Sequence, residues 1–323
     1  MKTHSGHQVH EDEKQDFKKP NARGSQVKIL VTGAGGYVGY FLCQRLVAAG
    51  HNVIGLCLAE QTEMLGNTGC TLHVHDLGSR EEIEAEPVDA VVYLAQSVFY
   101  RQMPEKAYDL FEVNVSGLVK AADFARKTGA RKFLYASTGS VYRPSLEALK
   151  EDSPVRDDDF YVLSKITGER ILDLYRRHFT VTTVRFFTIY GPNQKGMLVP
   201  AIIEKVKTGT PVFLEPAAGE EGENEGLRLT PCYIDDAVDA IETLLGTDVG
   251  SPINIASPEI VSIRQIAEEA GRLMNKKPIF AQANTSRNWN LIADTTLLKT
   301  YKQKFTPFAR GMNCMLSTGG QHP

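Results

Sequence analysis

The sequence predicts an α/β fold: a doubly wound parallel sheet with a smaller, discontinuous C-terminal lobe. Three observations predict it. Short apolar, β-rich runs alternate with helical periodicity from Val27 to about Gly191, the pattern of a parallel sheet covered on both faces. A glycine-rich turn, "TGAGGYVG", follows the first run directly. Beyond Gly191 the alternation loosens into longer irregular stretches.

The elements follow in order. Val27 to Thr32 is an apolar run with the composition of a buried strand. "YFLCQRLVAAG" has helical spacing and stops at Gly50. "NVIGLCL", "TLHVHDL" and "AVVYLAQ" read as the second, third and fourth strands. "NVSGLVKAADFARKTG" reads as a helix ending at Gly129, and "RKFLYAST" as the fifth strand. "FYVLSKITGERILDLYRRH" is a long amphipathic helix, and "VTTVRFFTIYG" a sixth strand. Later, "MLVPAIIEKVKTG" and "SIRQIAEEAGRLMN" look helical, "TPCYIDDAVDAIETLLG" combines a strand with a helix, and "SPINIA" is a short strand.

Bulk properties exclude several classes. With 323 residues and 42% hydrophobic content, the chain holds one large domain or two modest ones. A net charge of −3 implies no basic face, so no nucleic acid partner is expected. Five scattered cysteines without CxxC spacing point to a reducing, cytoplasmic setting, and to neither a disulfide framework nor a metal site. No apolar run approaches the roughly 20 residues of a membrane span. Residues 1–26 are polar and charged, without the apolar stretch of a signal peptide, and read as a disordered tail.

The glycine turn carries the first chemical signal. Gly33, Gly36 and Gly39 lie between a strand and a helix. The first permits a tight turn, the second a close approach of backbone to a pyrophosphate, and the third close packing of helix on strand. The helix N-terminus offers free N–H groups and partial positive charge to the same anion. This context points to a Rossmann-type dinucleotide site.

The second signal lies far downstream. Of the twelve tyrosines, only Tyr161 has a lysine, Lys165, four places on. On a helix that spacing puts both side chains on one face. A phenol of pKa about 10 is a poor base at neutral pH. An adjacent ammonium favours the phenolate, and the pair can then exchange a proton with a substrate hydroxyl.

Taken together, TGxxGxxG and the Tyr161–Lys165 pair resemble the extended short-chain dehydrogenase/reductases, and within them the NAD-dependent epimerase/dehydratase family. Further landmarks lie in the family's order: "HDL" at 75–77, "VVYLAQ" at 91–96, "NVSG" at 114–117, "YASTGSVY" at 135–142, "RFFTIYGP" at 185–192 and "YIDDAVDAI" at 233–241. The resemblance implies a dinucleotide-binding domain over 27–190 plus about 233–257, and a substrate lobe over about 191–232 and 258–323. It implies cofactor contacts from Gly33, Gly36, Tyr37, Val38, Gly39, Asp76, Leu77, Leu94, Ala95, Asn114, Tyr161 and Lys165. It makes Thr138 the third catalytic member beside Tyr161 and Lys165, with Ser137 as runner-up. It also implies a homodimer joined through helices at about 104–127 and 161–178.

Departures from the family pattern limit the reading. The acidic residue expected after the second strand, which would hold the adenosine 2′-hydroxyl, is Cys57, and Glu60 is the nearest acid. No arginine or lysine occurs between Gly55 and Gly69 to hold a 2′-phosphate. NAD is therefore expected ahead of NADP. Sugar-nucleotide 4,6-dehydratases carry an Asp-Glu pair where this chain has Gly139 and Ser140. Two handles for a nucleotide diphosphate are replaced by Thr188 and Leu229, Arg228 is one residue out of register, and Arg287 matches a third. Ser97, with Arg101 and Gln102, follows the fourth strand where the family lines its substrate pocket. Ser97, Thr188 and Arg287 are thus the candidate substrate residues. The acidic stretch Glu215 to Glu225 reads as a solvated loop or as a lid over substrate. The expected activity is an NAD(P)-dependent epimerase acting on a sugar derivative, in particular a nucleotide sugar. The alternative is a net dehydrogenase or ketoreductase on a sugar, sugar acid or other small hydroxy compound.

Overall fold

A computed structural model describes residues 26–219, 224–250 and 252–317. The tail expected over residues 1–26 lies outside the described residues except for Gln26, as do positions 220–223 of the acidic stretch.

Seven strands form the central sheet: β1 (Lys28–Thr32), β2 (Asn52–Cys57), β3 (Thr71–Val74), β4 (Ala90–Tyr93), β5 (Lys132–Thr138), β6 (Thr180–Phe186) and β7 (Ile253–Ile255). Every pairing is parallel, in the order β7-β6-β5-β4-β1-β2-β3. The chain winds outward from β1 in both directions. A crevice therefore opens at the C-terminal ends of β1 and β4, the usual ligand position in such sheets. All seven residues of β5 are buried, as expected for a central strand covered by helices on both faces.

The helices that bear on the site are α1 (Tyr37–Ala48), α2 (Gly117–Thr128) and α3 (Phe160–Tyr175). Asp159 caps α3 by accepting from the Val162 N–H at 3.1 Å, a contact of about 1 kcal/mol. Farther along come α4 (Leu198–Thr208), α5 (Ile234–Leu245), α6 (Ile263–Met274) and α7 (Phe308–Ser317). One apolar cluster runs from Leu42 and Leu46 on α1 through Ile241 on α5 to Ile266 on α6 and Met312 on α7. The C-terminal elements thus share the core of the sheet domain. Among the described residues, no helix is long and apolar enough to cross a membrane.

The structure corrects two boundaries and adds one helix. The helix expected to begin at Asn114 begins at Gly117, after a short helix at Ala107–Phe111 and a π-turn at Glu112–Ser116. The sixth strand stops at Phe186 instead of running to Gly191. The Phe187 N–H still reaches Ile255 O at 3.2 Å, but Ile189–Tyr190 pairs with Cys232–Tyr233 in a separate ladder. The apolar run is continuous, so its break is set by which partner strand lies alongside. Helix α7 has no counterpart among the expected elements. It is held by contacts distant in sequence, including Tyr190 Oη donating to Phe308 O at 3.4 Å.

Candidate active site

The glycine turn sits at the crevice. Gly33 has φ +66°, and a Cβ there would lie 2.8 Å from the Ala95 backbone at the end of β4. A Cβ on Gly39 would lie 2.2 Å from Gly33 O. Both positions exclude a side chain on steric grounds, and Gly33 also on conformational grounds. No side chain caps the first turn of α1, whose N-cap is Gly36. The result is a cradle of bare backbone at a helix N-terminus, which fits the pyrophosphate of a dinucleotide. Tyr37 and Val38 open α1 and are half-buried. The Tyr37 hydroxyl donates to Pro192 O at 3.1 Å, tying the cradle to the chain after β6.

Leu94 and Ala95 extend β4 beneath the cradle, and the Ala95 N–H donates to Thr32 Oγ1 at 3.3 Å. At the β3 edge, Leu77 is buried and Asp76 exposed. Asp76 Oδ1 accepts from the Gly78 N–H at 2.8 Å, forming an Asx-turn. Cys57 is only 2% exposed, so it presents no polar group at the end of β2. Sequence reasoning missed Gln61. Its Oε1 accepts from the Leu58 N–H at 3.1 Å. A Cβ on Gly35 would come 2.3 Å from that same oxygen. The amide thus lies between the end of β2 and the glycine turn, four residues after the position where an acid was expected.

The structure brings Thr138, Tyr161 and Lys165 together at the C-terminal end of β5. The Thr138 hydroxyl lies close enough to the Tyr161 phenol to favour its ionised form, and its Oγ1 accepts from the Ser140 N–H at 3.2 Å. Lys165 is 3% exposed. Its Nζ donates to Ala136 O at 2.9 Å and stands 5.9 Å from the Tyr161 ring centroid. Burial pushes the Tyr161 phenol up to about 12, with the nearby Thr138 hydroxyl opposing. Burial pulls Lys165 down to about 8, with the Glu169 charge opposing. Ser137, the runner-up to Thr138, faces elsewhere: its Oγ donates to Glu169 Oε1 at 2.5 Å.

Asn114 joins the two halves of the site. Its Oδ1 accepts from the Ser97 N–H at 3.0 Å, and its Nδ2 donates to Ser164 Oγ at 3.0 Å. Ser164, also missed from sequence, donates in turn to Tyr161 O at 2.7 Å. The π-turn at Glu112–Ser116 carries Asn114 at the junction of α2 and α3, and such turns recur at functional sites. The loop after β4 covers Tyr161. The Tyr100 ring, a further residue without a sequence signal, packs with its centroid 5.2 Å from that of the Tyr161 ring, tilted at 47°. The Arg101 guanidinium lies 5.1 Å over Tyr100 and donates to Gly196 O at 3.2 Å.

The three candidate substrate residues do not converge in the same way. Ser97 is buried, and its hydroxyl donates to Asp109. Arg287 is 3% exposed and donates to Glu215 O, Trp289 O, Asn290 Oδ1 and Gly226 O at 2.6–3.1 Å. Its guanidinium is engaged in holding the C-terminal loops together. Thr188 is half-buried between β6 and the Ile189–Tyr190 ladder, where its carbonyl accepts from the Cys232 N–H at 2.8 Å. Leu229 is fully buried and Arg228 exposed, as alternation along a strand requires.

Known proteins resemble this chain in sequence and in fold. An uncharacterised UDP-glucose epimerase of Bacillus subtilis, YtcB, is 27% identical over 74% of this chain and 80% of its own length. GDP-mannose 3,5-epimerase of Arabidopsis thaliana is 29% identical over 78% of this chain and 70% of its own. Among solved structures, UDP-glucose 4-epimerase of Thermus thermophilus with NAD superposes with a TM-score of 0.76 at 22% identity, over 91% of this chain and 100% of that one. UDP-glucuronic acid 4-epimerase of Bacillus cereus does so with a TM-score of 0.77 at 21% identity, over 90% and 98%. The glycine cradle and the helix that carries Tyr161 and Lys165 fall within residues 29–256, the span matched by the family profile, and the chain belongs to the NAD dependent epimerase/dehydratase family.

Proposed function

We propose that this protein is an NAD-dependent nucleotide-sugar epimerase that acts at a hydroxyl-bearing carbon of the sugar. The observation that carries the reading is the meeting of Thr138, Tyr161 and Lys165 at the crevice that also holds the glycine cradle. NAD, when bound, supplies the hydride acceptor and donor. Tyr161 takes the proton of the substrate hydroxyl and later returns it. Lys165 steadies the phenolate by its charge. Thr138 donates to the reacting oxygen and lowers the energy of charge that develops there. The cradle of Gly33, Gly36 and Gly39 holds the pyrophosphate, Asn114 braces the nicotinamide end, and Leu77, Leu94 and Ala95 wall the adenosine end. Gln61 takes the place of the missing acid beside the adenosine ribose. Its neutral amide and the absence of a nearby cation in the sequence support NAD over NADP.

Gly139 supports the epimerase over a 4,6-dehydratase. A Cβ at that position would lie 2.9 Å from the Phe187 ring, so an acidic side chain has no room where dehydratases need one. The alternative of a net dehydrogenase or ketoreductase rests on the incomplete diphosphate handles at Thr188, Leu229 and Arg287. In either case the substrate is a small molecule. Exposed Tyr108 and Leu174, on the helices through which the family dimerises, support a homodimer. Five free thiols support a reducing, cytoplasmic setting.

The test is to incubate purified protein with UDP-glucose and related nucleotide sugars, without added cofactor, and separate the epimers by chromatography. Denatured protein is assayed in parallel for released dinucleotide. Epimer formation with about one NAD per chain supports the proposal, because an epimerase regenerates its cofactor each cycle. Empty protein that turns over only with added cofactor and a free sugar replaces it with the dehydrogenase reading.

A further inference from the structure

Behind Tyr161 and Lys165, on the next turn of α3, stands a carboxylate for which neither the cofactor cradle nor the proton transfer gives a role. Glu169 is four residues after Lys165 and eight after Tyr161, so all three share one helical face. Its Oε1 accepts from Ser137 Oγ at 2.5 Å and Arg185 Nε at 3.1 Å, and its Oε2 from Arg185 Nη2 at 2.7 Å. The side chains of Arg185 and Glu169 are only 6% and 12% exposed. We infer that Glu169 is a positioning residue: it pins Ser137, and with it the end of β5 that carries Thr138, and it is the counter-charge that keeps the buried Lys165 cationic. The inference rests on the epimerase reading only in its kinetic consequence.

The physical need is plain. An ammonium with 3% exposure has lost its water and, among the described contacts, donates to one backbone carbonyl. Desolvation favours its neutral form. A neutral lysine cannot stabilise a phenolate, so a nearby negative charge protects the function of the pair. Once the Tyr161–Lys165 pair has lost one proton, it exists as phenolate with ammonium or as phenol with amine. Glu169 lies nearer the lysine in sequence and favours the first, productive arrangement.

The titratable groups around Lys165 are few. Tyr161 and Glu169 face it from α3, and Tyr135, whose ring centroid is 5.5 Å from Nζ, faces it from β5. Tyr93 packs behind Tyr135, and Tyr100 behind Tyr161. Arg185 of β6 reaches Lys165 only through Glu169, and beyond it lie Glu151, whose carbonyl accepts from Arg185 at 3.1 Å, and the Tyr142 ring at 4.8 Å. Of the two acids, Glu169 contributes the opposing charge felt at Lys165.

The experiment reads Lys165 directly. The full-length protein is labelled with [6-13C]lysine, the Lys165 signal is assigned with Lys165→Met, and its titration is followed by NMR without substrate. Glu169→Gln is expected to lower the Lys165 titration by about one pH unit or more, and Arg185→Gln to raise it. If Glu169→Gln fails to fold, the step from Arg185→Gln to the double variant reports the same loss of charge. With a nucleotide sugar, Glu169→Gln is expected to lower kcat about tenfold or more with KM within about threefold. A Lys165 titration that stays put, or moves the same way in both single variants, overturns the inference. Expected shifts in a protein that epimerises no nucleotide sugar would overturn the function proposed above and leave this inference standing.

Discussion

Asn114 and Ser164 meet at 3.0 Å between the π-turn before α2 and the first turns of α3, and Ser164 passes the contact on to the Tyr161 carbonyl at 2.7 Å. The same Asn114 side chain accepts from the Ser97 N–H. One buried amide therefore ties the loop after β4 to the helix that carries Tyr161. Asn114→Ala leaves the Ser97 N–H without its partner in a buried position. The expected loss is about 2 kcal/mol of stability, read as a lower midpoint in urea, together with a lower turnover rate at unchanged substrate KM.

Tyr161→Phe keeps the ring that packs against Tyr100 and removes the proton-bearing oxygen. Turnover is expected to fall by roughly 10²- to 10⁴-fold, while dinucleotide retained per chain stays the same. Thr138→Ser is expected to keep most activity and Thr138→Ala to lose it by about 10²-fold. Steady-state kinetics on the three variants separates the hydroxyl from the methyl group.

The buried lysine predicts a pH dependence of stability. Lys165 binds its proton less tightly in the folded protein, at about 8, than an ordinary lysine does at 10.5. Between those two values the unfolded chain holds more protons than the folded one, so this group makes stability rise with pH across that window. Below it, the charged and buried ammonium carries its full penalty. Lys132, also lowered to about 8 by burial, adds the same trend. Subtracting the Lys165→Met curve from wild type isolates Lys165. At pH 7 and without cofactor, Lys165→Met is expected to be the more stable protein and to be inactive, as thermal melts and an activity assay would record.

Gly39→Ala places a methyl group 2.2 Å from a backbone carbonyl, which no rotamer can relieve. The turn must deform, at a cost of roughly 1–3 kcal/mol. Loss of bound dinucleotide is expected to exceed the loss of stability, because the deformation falls on the cradle itself. Calorimetric binding of NAD beside a melting curve compares the two. At the other end of the cofactor, Gln61→Ala is expected to weaken NAD binding by about tenfold, and Gln61→Glu to widen the preference for NAD over NADP.

The parallel sheet and the glycine cradle were legible in the sequence because their causes are local. Apolar runs such as "ILVT" and "FLYAST" alternate with helical spacing, and Gly33 answers a left-handed turn made by its own neighbours. The face shared by Tyr161 and Lys165 follows from helical periodicity alone. What the tertiary structure decided depends on contacts between distant segments. Ser137 and Thr138 are adjacent and chemically alike, yet Glu169 takes the Ser137 hydroxyl while the Thr138 hydroxyl accepts from the Ser140 N–H on the Tyr161 side. Gln61, Tyr100 and Ser164 carried no local signal, since each matters only for what lies across from it. Arg287 matched a motif, but its burial among loop carbonyls arises from how residues 215, 226 and 289 come together. Periodicity determines which way a side chain faces along its own element, and only packing determines what it faces.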